Sequence, residues 1–221
     1  MELRDRNFIL VDTETTGFDE KKHQILEVGI LVIKDLKVVG EFEVKIKHNE
    51  YTITSKAMQA NKINILEHEK EAVFENEATE KILKFLNKHK SESDEGYIVI
   101  GQNVQFDIKF LKHELNSLYE VGMIDETWEP KNSFCTMTYY KNICNIPAPR
   151  GNGIKNPKLS EVIDFLNISQ DKIATKANEL FQGSGNYHDA RFDTAAAYLL
   201  VIEGIKQKYI KPGFFSKQLK K

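Results

Sequence analysis

Two carboxylates end the first apolar segment of the chain. Asp12 and Glu14 lie at the end of residues 7–13, whose β-branched and leucine side chains are typical of a buried strand. Side chains two residues apart on a strand project to the same face, so these two acids converge. Because like charges held close together are costly without a counter-charge, the pair indicates a cation site; the alternative is a pair of acids that only faces water.

Two more acids and one histidine occupy comparable positions later in the chain. Asp107 follows the strand-like residues 97–100 and begins a helical segment, where an acid often only compensates the helix dipole. His188 precedes Asp193 by five residues at the start of the last helix, a spacing that lets both face one pocket. An imidazole can accept a proton from water at neutral pH. We interpret the remaining histidines as surface or capping residues: His23, His48, His68, His89 and His113.

Hydrophobic periodicity predicts the elements that position these residues. The predicted order is three strands, a helix, a strand, a helix, a strand and two helices, at residues 7–13, 25–33, 38–47, 76–89, 97–100, 106–118, 134–136, 159–166 and 187–209. Residues 147–157 are rich in proline and glycine and are predicted to form a loop. No G-x-G-x-x-G follows the first strand, which argues against a Rossmann fold.

In order and spacing, the residues that could carry chemistry resemble the three motifs of the DnaQ-like (DEDDh) 3′→5′ exonucleases. The first motif matches Asp12-Thr-Glu14, the second matches Asn103-Val-Gln-Phe106-Asp107, and the third matches His188 with Asp193. The segments HQILEVGILV and PKLSEVIDFL resemble further parts of the family, so the likeness spans roughly residues 7–205. One departure is Gln102, where many members have histidine, because it removes a titratable side chain.

The resemblance implies a fold and a catalytic site. The fold would be RNase H-like: an α/β domain with a mixed five-stranded sheet, its first three strands an antiparallel meander, flanked by helices. Asp12, Glu14, Asp107 and Asp193 would hold two Mg²⁺ ions, with Mn²⁺ able to substitute, and His188 would act as the general base. Phe18 would stack on the terminal base or else be a buried turn residue. The implied substrate contacts are Thr13, Thr15, Thr16, Gly17, Phe18, Gln102, Asn103 and Phe106.

The implied reaction removes nucleoside monophosphates from the 3′ end of DNA, in repair or proofreading. Single-stranded DNA 3′ ends are the expected partner, and RNA trimming is the alternative within the same family. A catalytically inactive nucleic-acid-binding module is a further alternative, although it would be expected to lose one of the acids or the histidine. Association with a polymerase is not indicated, because only about fifteen residues follow the last predicted helix.

Length and composition bear on the domain organisation, on the kind of nucleic-acid contact and on the location of the protein. A length of 221 residues suits one domain, which we place at residues 1–205, followed by a lysine-rich tail at 206–221 that is either a solvated terminus or a short docking peptide. A net charge of −2 argues against coating nucleic acid, so contacts would be local, as at the basic residues 150–158. The absence of a leader-like or membrane-spanning segment predicts a cytoplasmic protein. Cys135 and Cys144 are predicted to be ordinary reduced thiols.

Overall fold

The structure is a computed structural model that describes residues 8–90, 97–118, 133–181 and 189–211. Its strands are β1 (Phe8–Thr15), β2 (Ile25–Lys34), β3 (Lys37–Lys47), β4 (Val73–Phe74), β5 (Ile98–Gly101) and β6 (Ser133–Cys135). Its helices are α1 (Ser55–Asn61), α2 (Ile65–His68), α3 (Glu75–Lys88), α4 (Gln105–Leu118), α5 (Thr136–Cys144), α6 (Leu159–Phe165), α7 (Gln170–Leu180) and α8 (Ala190–Lys206).

The six strands form one mixed sheet in the order β4-β3-β2-β1-β5-β6. Strands β1, β2 and β3 are an antiparallel meander, whereas β5 is parallel to β1 and β6 is parallel to β5. The predicted mixed sheet and meander are therefore confirmed. The predicted count of five strands is one short, since β4 is only two residues long and too short for hydrophobic alternation to reveal.

Alternation along β1 divides the core into two layers. Phe8 and Leu10 face a cluster that includes buried residues of α6, α7 and α8. Ile9 and Val11 face a second cluster, formed with α3 and α4. Because both faces of β1 are covered, its sequence is apolar without interruption until the polar residues at its end. The acids of β1 therefore lie where the buried part of the strand stops.

The predicted loop at residues 147–157 is present, and it forms a small hairpin. Pro147 and Ile154 form an isolated antiparallel bridge, and the amide of Lys155 donates to the carbonyl of Ile146 at 3.0 Å. Arg150, beside the hairpin tip, is exposed. Both cysteines are free thiols, as predicted. Among the described residues, no helix combines the length and apolar character that crossing a membrane requires.

A glycine on β2 lets the last helix approach the sheet. Gly29 pairs with Asp12 across the meander, and a Cβ at Gly29 would lie 2.7 Å from the carbonyl oxygen of Ala190, the first residue of α8. A contact of that length to backbone has no room to relax without moving the helix. The first turn of α8, which carries Asp193, is thereby held directly over the end of β1.

We expect Gly29→Ala to destabilise the protein by about 1–3 kcal/mol, because the added methyl group would overpack the contact between β2 and α8. Gly40→Ala is the matched control, since the three atoms nearest to a Cβ there all belong to the ring of His89, a half-buried side chain that can turn away. Urea unfolding of both variants measures the difference. Equal stability of the two variants would show that α8 does not depend on this close approach.

Candidate active site

Three carboxylates come together at the end of β1. Asp12 and Glu14 project from the strand to the same face, and Asp193 approaches from the first turn of α8. One oxygen from each side chain can be chosen so that all three lie within 4.8 Å of one another. The alternation along β1 predicted the first pair, the family resemblance implied Asp193, and the structure brings the three together.

This crowding raises the proton affinity of each acid on β1. Burial is the largest cause for Glu14, the charge of Asp193 is the next, and together with Glu27, Asp107 and Asp189 they raise its pKa to about 9. The pKa of Asp12 is raised well above its usual value by burial first and by Asp193 second. Among the described residues, neither Asp12 nor Glu14 forms an ion pair with a lysine or arginine. Protonation or a bound cation would relieve the repulsion.

Asp107 is tied to the same strand end by hydrogen bonds. Its Oδ1 accepts from the amide of Thr13 at 2.9 Å and from the Thr13 hydroxyl at 2.8 Å. Burial raises the pKa of Asp107 to about 7 despite these bonds, which lower it. Asp107 is not one of the three mutually close carboxylates, but its charge contributes to the raised pKa of Asp12. The predicted four acids thus form three clustered carboxylates with a fourth held beside them.

The first turn of α8 is fixed by its own cap. Asp189 is the N-cap residue and accepts from the amide of Arg191, whose guanidinium also donates to both Asp189 oxygens at 3.0 and 2.8 Å. Arg191 lies 3.5 Å from Glu43 as well. The guanidinium nearest in sequence to Asp193 is therefore occupied by other acids.

Sequence reasoning missed Glu27. This residue pairs with Glu14 across β1 and β2, and its charge raises the pKa of both Asp12 and Glu14. The signal was a single acid inside the otherwise apolar segment ILEVGILVIK. Its carboxylate also lies 3.6 Å from Nδ1 of His68.

The turn after the first motif is held by its own polar side chains. The Thr15 hydroxyl donates to the carbonyl of Gly17 at 2.6 Å, and the Thr16 hydroxyl accepts from the amide of Gln24 at 2.9 Å. A Cβ at Gly17 would lie 2.1 Å from the ring of His23. The close approach that requires glycine here is thus with a protein side chain.

Helix α1 supports this turn from outside. The amide of Thr54 donates to the carbonyl of Thr16 at 2.8 Å, and the side chain of Asn61 donates to the carbonyl of Thr15 at 3.1 Å. Phe18 is 57% exposed, which excludes the alternative of a buried turn residue. The amine of Lys56 lies 5.8 Å from the Phe18 ring centroid. The Phe18 ring is therefore partly exposed to solvent, four residues after Glu14.

The residues of the second motif have different surroundings. Gln102 accepts from the Thr136 hydroxyl at 2.6 Å and donates to the carbonyl of Pro157 at 2.8 Å, so its amide links β5 to α5 and to the segment that follows the hairpin. Asn103 is exposed and has a φ of 60°. Phe106 is half-buried, with its ring centroid 4.8 Å from that of Phe110.

His188 lies outside the described residues, so its role stays a prediction. The interpretation of the other histidines as surface residues is wrong for two of them. His48 is buried, with its ring nitrogens 2.7 Å from Glu75 and 2.7 Å from the carbonyl of Ile25. His68 is also buried, with Nε2 3.0 Å from the carbonyl of Ile46.

The donor set fits a hard divalent cation. The three clustered ligands are carboxylate oxygens, the donors that Mg²⁺ and Mn²⁺ prefer. No cysteine belongs to the cluster, and the raised pKa values are what uncompensated negative charge produces. A bound divalent ion would supply the missing charge, with Asp12, Glu14 and Asp193 as its direct ligands and Asp107 close by.

Comparison with known protein families shows which family the chain belongs to. The family model RNase_T, described as an exonuclease, matches residues 9–201. The chain belongs to this exonuclease family. The match includes all four acids and the elements that carry them, β1, α4 and α8.

Two curated relatives are DNA polymerases III of the PolC type from Thermotoga. The protein of Thermotoga petrophila is 29% identical over 113 residues, and that of Thermotoga maritima is 29% identical over 116 residues. These alignments cover 48% and 49% of this chain but only 7% of each relative. The likeness is thus to one small part of a much longer polymerase.

Solved structures of exonuclease I share the RNase H-like fold. A structure of E. coli exonuclease I in complex with a dA16 oligonucleotide has a TM-score of 0.68 and 14% identity, covering 96% of this chain and 42% of that chain. Exonuclease I from Methylocaldum szegediense has a TM-score of 0.67 and 14% identity, covering 95% of this chain and 42% of that one. The chain therefore spans less than half the length of these structural neighbours.

The raised pKa of Glu14 predicts how stability depends on pH without metal. Because the folded pKa of about 9 exceeds the ordinary value of 4.5, the folded state binds more protons between these values, and stability falls as pH rises. In EDTA we expect the wild type to lose about 2 kcal/mol relative to Glu14→Gln between pH 6 and pH 9. Mg²⁺ should remove most of this loss.

Urea unfolding at several pH values, with EDTA or Mg²⁺, measures this dependence. A wild type that gains stability relative to Glu14→Gln as pH rises in EDTA would contradict the prediction. A loss that Mg²⁺ leaves unchanged would show that the cation binds elsewhere.

Proposed function

We propose that the protein is a 3′→5′ exonuclease that removes nucleoside monophosphates from the ends of single-stranded DNA in a reaction that requires divalent metal. The main support for this proposal is the convergence of Asp12, Glu14 and Asp193. One carboxylate oxygen from each lies within 4.8 Å of the others. Membership of the exonuclease family supports phosphodiester hydrolysis as the use of that cluster. The resemblance of the motifs to those of the DnaQ-like 3′→5′ exonucleases supports the 3′→5′ direction.

The acids and His188 would have different roles in the reaction. Two divalent ions, Mg²⁺ or Mn²⁺, would supply Lewis acidity to the phosphate and the attacking water, held by Asp12, Glu14, Asp107 and Asp193. His188 would take the proton from that water as its oxygen attacks phosphorus. The bond between phosphorus and the 3′ oxygen of the preceding nucleotide would break, releasing the terminal nucleotide with a 5′ phosphate, and that 3′ oxygen would take a proton from solvent to become the new 3′ hydroxyl.

The terminal nucleotide would lie against the turn that follows β1. The exposed ring of Phe18 offers a face for the terminal base, and such stacking tolerates any base. Thr15 and Thr16 hold the shape of the turn, and their backbone carbonyls are already bound by Asn61 and Thr54. Recognition of the end would therefore use a turn that is built before substrate binds.

DNA is the proposed substrate because E. coli exonuclease I, which shares the fold, has been crystallised with the DNA oligonucleotides dA16 and dT13. The PolC-type relatives favour a second candidate role, proofreading beside a polymerase. A preference for a mismatched 3′ end over a matched one in duplex DNA would support that role. Preferential trimming of RNA would instead favour the exoribonuclease alternative.

Asp12→Asn should abolish cleavage, because it removes a central carboxylate of the cluster. The assay uses 5′-labelled DNA and RNA oligonucleotides with Mg²⁺, Mn²⁺ or EDTA. The wild type should produce a ladder that shortens from the 3′ end of DNA and should be silent in EDTA. Asp164→Asn, an exposed acid on α6, is the matched control and should retain full activity. Internal cuts, or an active Asp12→Asn enzyme, would refute the proposal.

His188→Ala should lower kcat by about 10²–10⁴-fold with little change in KM, because a general base acts in the chemical step. Single-turnover kinetics on 5′-labelled DNA measure the chemical step directly. His113→Ala, an exposed histidine on α4, is the control. A rise in KM with unchanged kcat would assign His188 to binding.

A further inference from the structure

Glu27 lies on the same face of the sheet as the carboxylate cluster. It is the direct antiparallel partner of Glu14 in the register of β1 and β2, and such partners have Cβ atoms about 4.5–5.5 Å apart on one face. Two residues further along β2 is Gly29, which pairs with Asp12 and approaches Ala190 at the start of α8. The register therefore joins Glu27 to the end of the cluster that Glu14 occupies.

The charge of Glu27 acts mainly on Glu14. Burial is the largest cause of the raised pKa of Glu14, and among the charges Glu27 comes directly after Asp193 and before Asp107. For the pKa of Asp12, which burial also raises most, Glu27 comes after the other three acids. Glu27 is not one of the three carboxylates that lie within 4.8 Å of one another. It is thus an acid just outside the set of direct ligands, with its field on one of them.

Two cations on this face of the sheet are held by other acids. Lys45 pairs with Glu27 in the register of β2 and β3, but its amine donates to Glu71 at 2.5 Å. The guanidinium of Arg191 donates to both oxygens of Asp189. Within the described part of the chain, neither cation lies at ion-pair distance from Glu27. The position of the Glu27 carboxylate therefore depends on another group.

The ring of His68, on α2, faces Glu27. Nδ1 of His68 lies 3.6 Å from Oε1 of Glu27, and both side chains are shielded from solvent, with 2% and 12% of their surface exposed. Nε2 lies 3.0 Å from the carbonyl oxygen of Ile46, which can only accept, so Nε2 carries a hydrogen. When Nδ1 carries a hydrogen as well, the ring is a cation directed at the carboxylate.

Contacts on its other side direct His68 at Glu27. Asn64 caps α2 by accepting from the amides of Leu66 and Glu67, and the bond to the Ile46 carbonyl fixes the ring at Nε2. Nδ1 has no hydrogen-bond partner among the residues that the structure describes. Buried polar atoms normally have a partner, and a separation of 3.6 Å is within ion-pair reach although too long for a direct hydrogen bond. The group that Nδ1 is placed to hold is the Glu27 carboxylate.

We propose that His68 is a positioning residue of the cation site, which holds the carboxylate of Glu27 beside Glu14 so that its charge helps to attract a divalent ion. This inference rests on the proposed function for the use of that ion. Mg²⁺ usually keeps several water molecules, and an acid outside the direct ligands can accept hydrogen bonds from such water. Glu27 strengthens cation binding without being a ligand, and His68 acts only through Glu27.

Binding of Mn²⁺ to the metal-free full chain, without DNA, tests this order of effects. Electron paramagnetic resonance measures the free Mn²⁺. Glu27→Gln should weaken binding about tenfold, as loss of an outer partner typically does. His68→Gln should also weaken it about tenfold, because glutamine can donate to the Ile46 carbonyl but carries no charge. The double variant should lose about tenfold and no more, since both substitutions act through one carboxylate.

His48→Gln is the matched control. His48 is a second buried histidine whose ring contacts a glutamate, Glu75, and a main-chain carbonyl, that of Ile25. Glu75 is not among the charges that raise the pKa of Asp12 or Glu14. The Mn²⁺ affinity of His48→Gln should therefore equal that of the wild type. An equal loss in His48→Gln and His68→Gln would overturn the inference, because it would trace the loss to the fold.

The remaining outcomes also decide the role of His68. Unchanged Mn²⁺ affinity in Glu27→Gln, or a loss of about a hundredfold in the double variant, would contradict the inference. Circular dichroism establishes that each variant folds. If His68→Gln is unfolded, recovery of the fold on adding Glu27→Gln supports the pairing, and no recovery assigns His68 to the fold alone. Wild-type protein that binds Mn²⁺ yet cleaves neither DNA nor RNA would refute the proposed function, and the binding comparison would still test His68.

Discussion

Repulsion among carboxylates at one end of the sheet is the constraint on which the rest of the molecule depends. Asp12, Glu14 and Asp193 are held within a few ångströms of one another, with Asp107 and Glu27 adding to the same field. The pKa of Glu14 rises to about 9 because burial and these neighbours disfavour its charge. A fold that keeps such a group together without a cation is working against its own stability. Neighbouring contacts must therefore hold each acid in place.

Those contacts are distributed over the whole fold. Both faces of β1 are packed, so the strand cannot move to separate Asp12 from Glu14. Gly29 lets α8 approach β2 closely enough to bring Asp193 over them, and Asp189 caps that helix. Thr13 holds Asp107 through two hydrogen bonds. Each contact is small, and together they hold the carboxylates in an arrangement that could bind a divalent ion.

The sequence predicted the parts of this site that depend on local order. Asp12 and Glu14 followed from strand alternation, and the first three strands followed from their apolar patterns. The bond between Thr13 and Asp107 was not predictable, because it joins residues 94 positions apart and depends on how β5 pairs with β1. Helix α7 was missed because only Ile173 and Ala177 are buried along it, too few to show a helical period. Glu27 was overlooked since one acid in an apolar segment has no periodicity.

In the segment that follows the hairpin, the Gln102 side chain hydrogen-bonds to the main chain. Its amide donates to the carbonyl of Pro157, a group that a residue of any type presents, while it accepts from Thr136. The attachment therefore places no demand on the side chains of the hairpin itself, and a Cβ at Gly151 or Gly153, at its tip, would meet no atom of the described residues within 4 Å. We therefore expect changes in the length or charge of this hairpin to leave the carboxylate cluster in place. The chain thus separates an exposed surface hairpin from the carboxylate cluster that we propose as its catalytic centre.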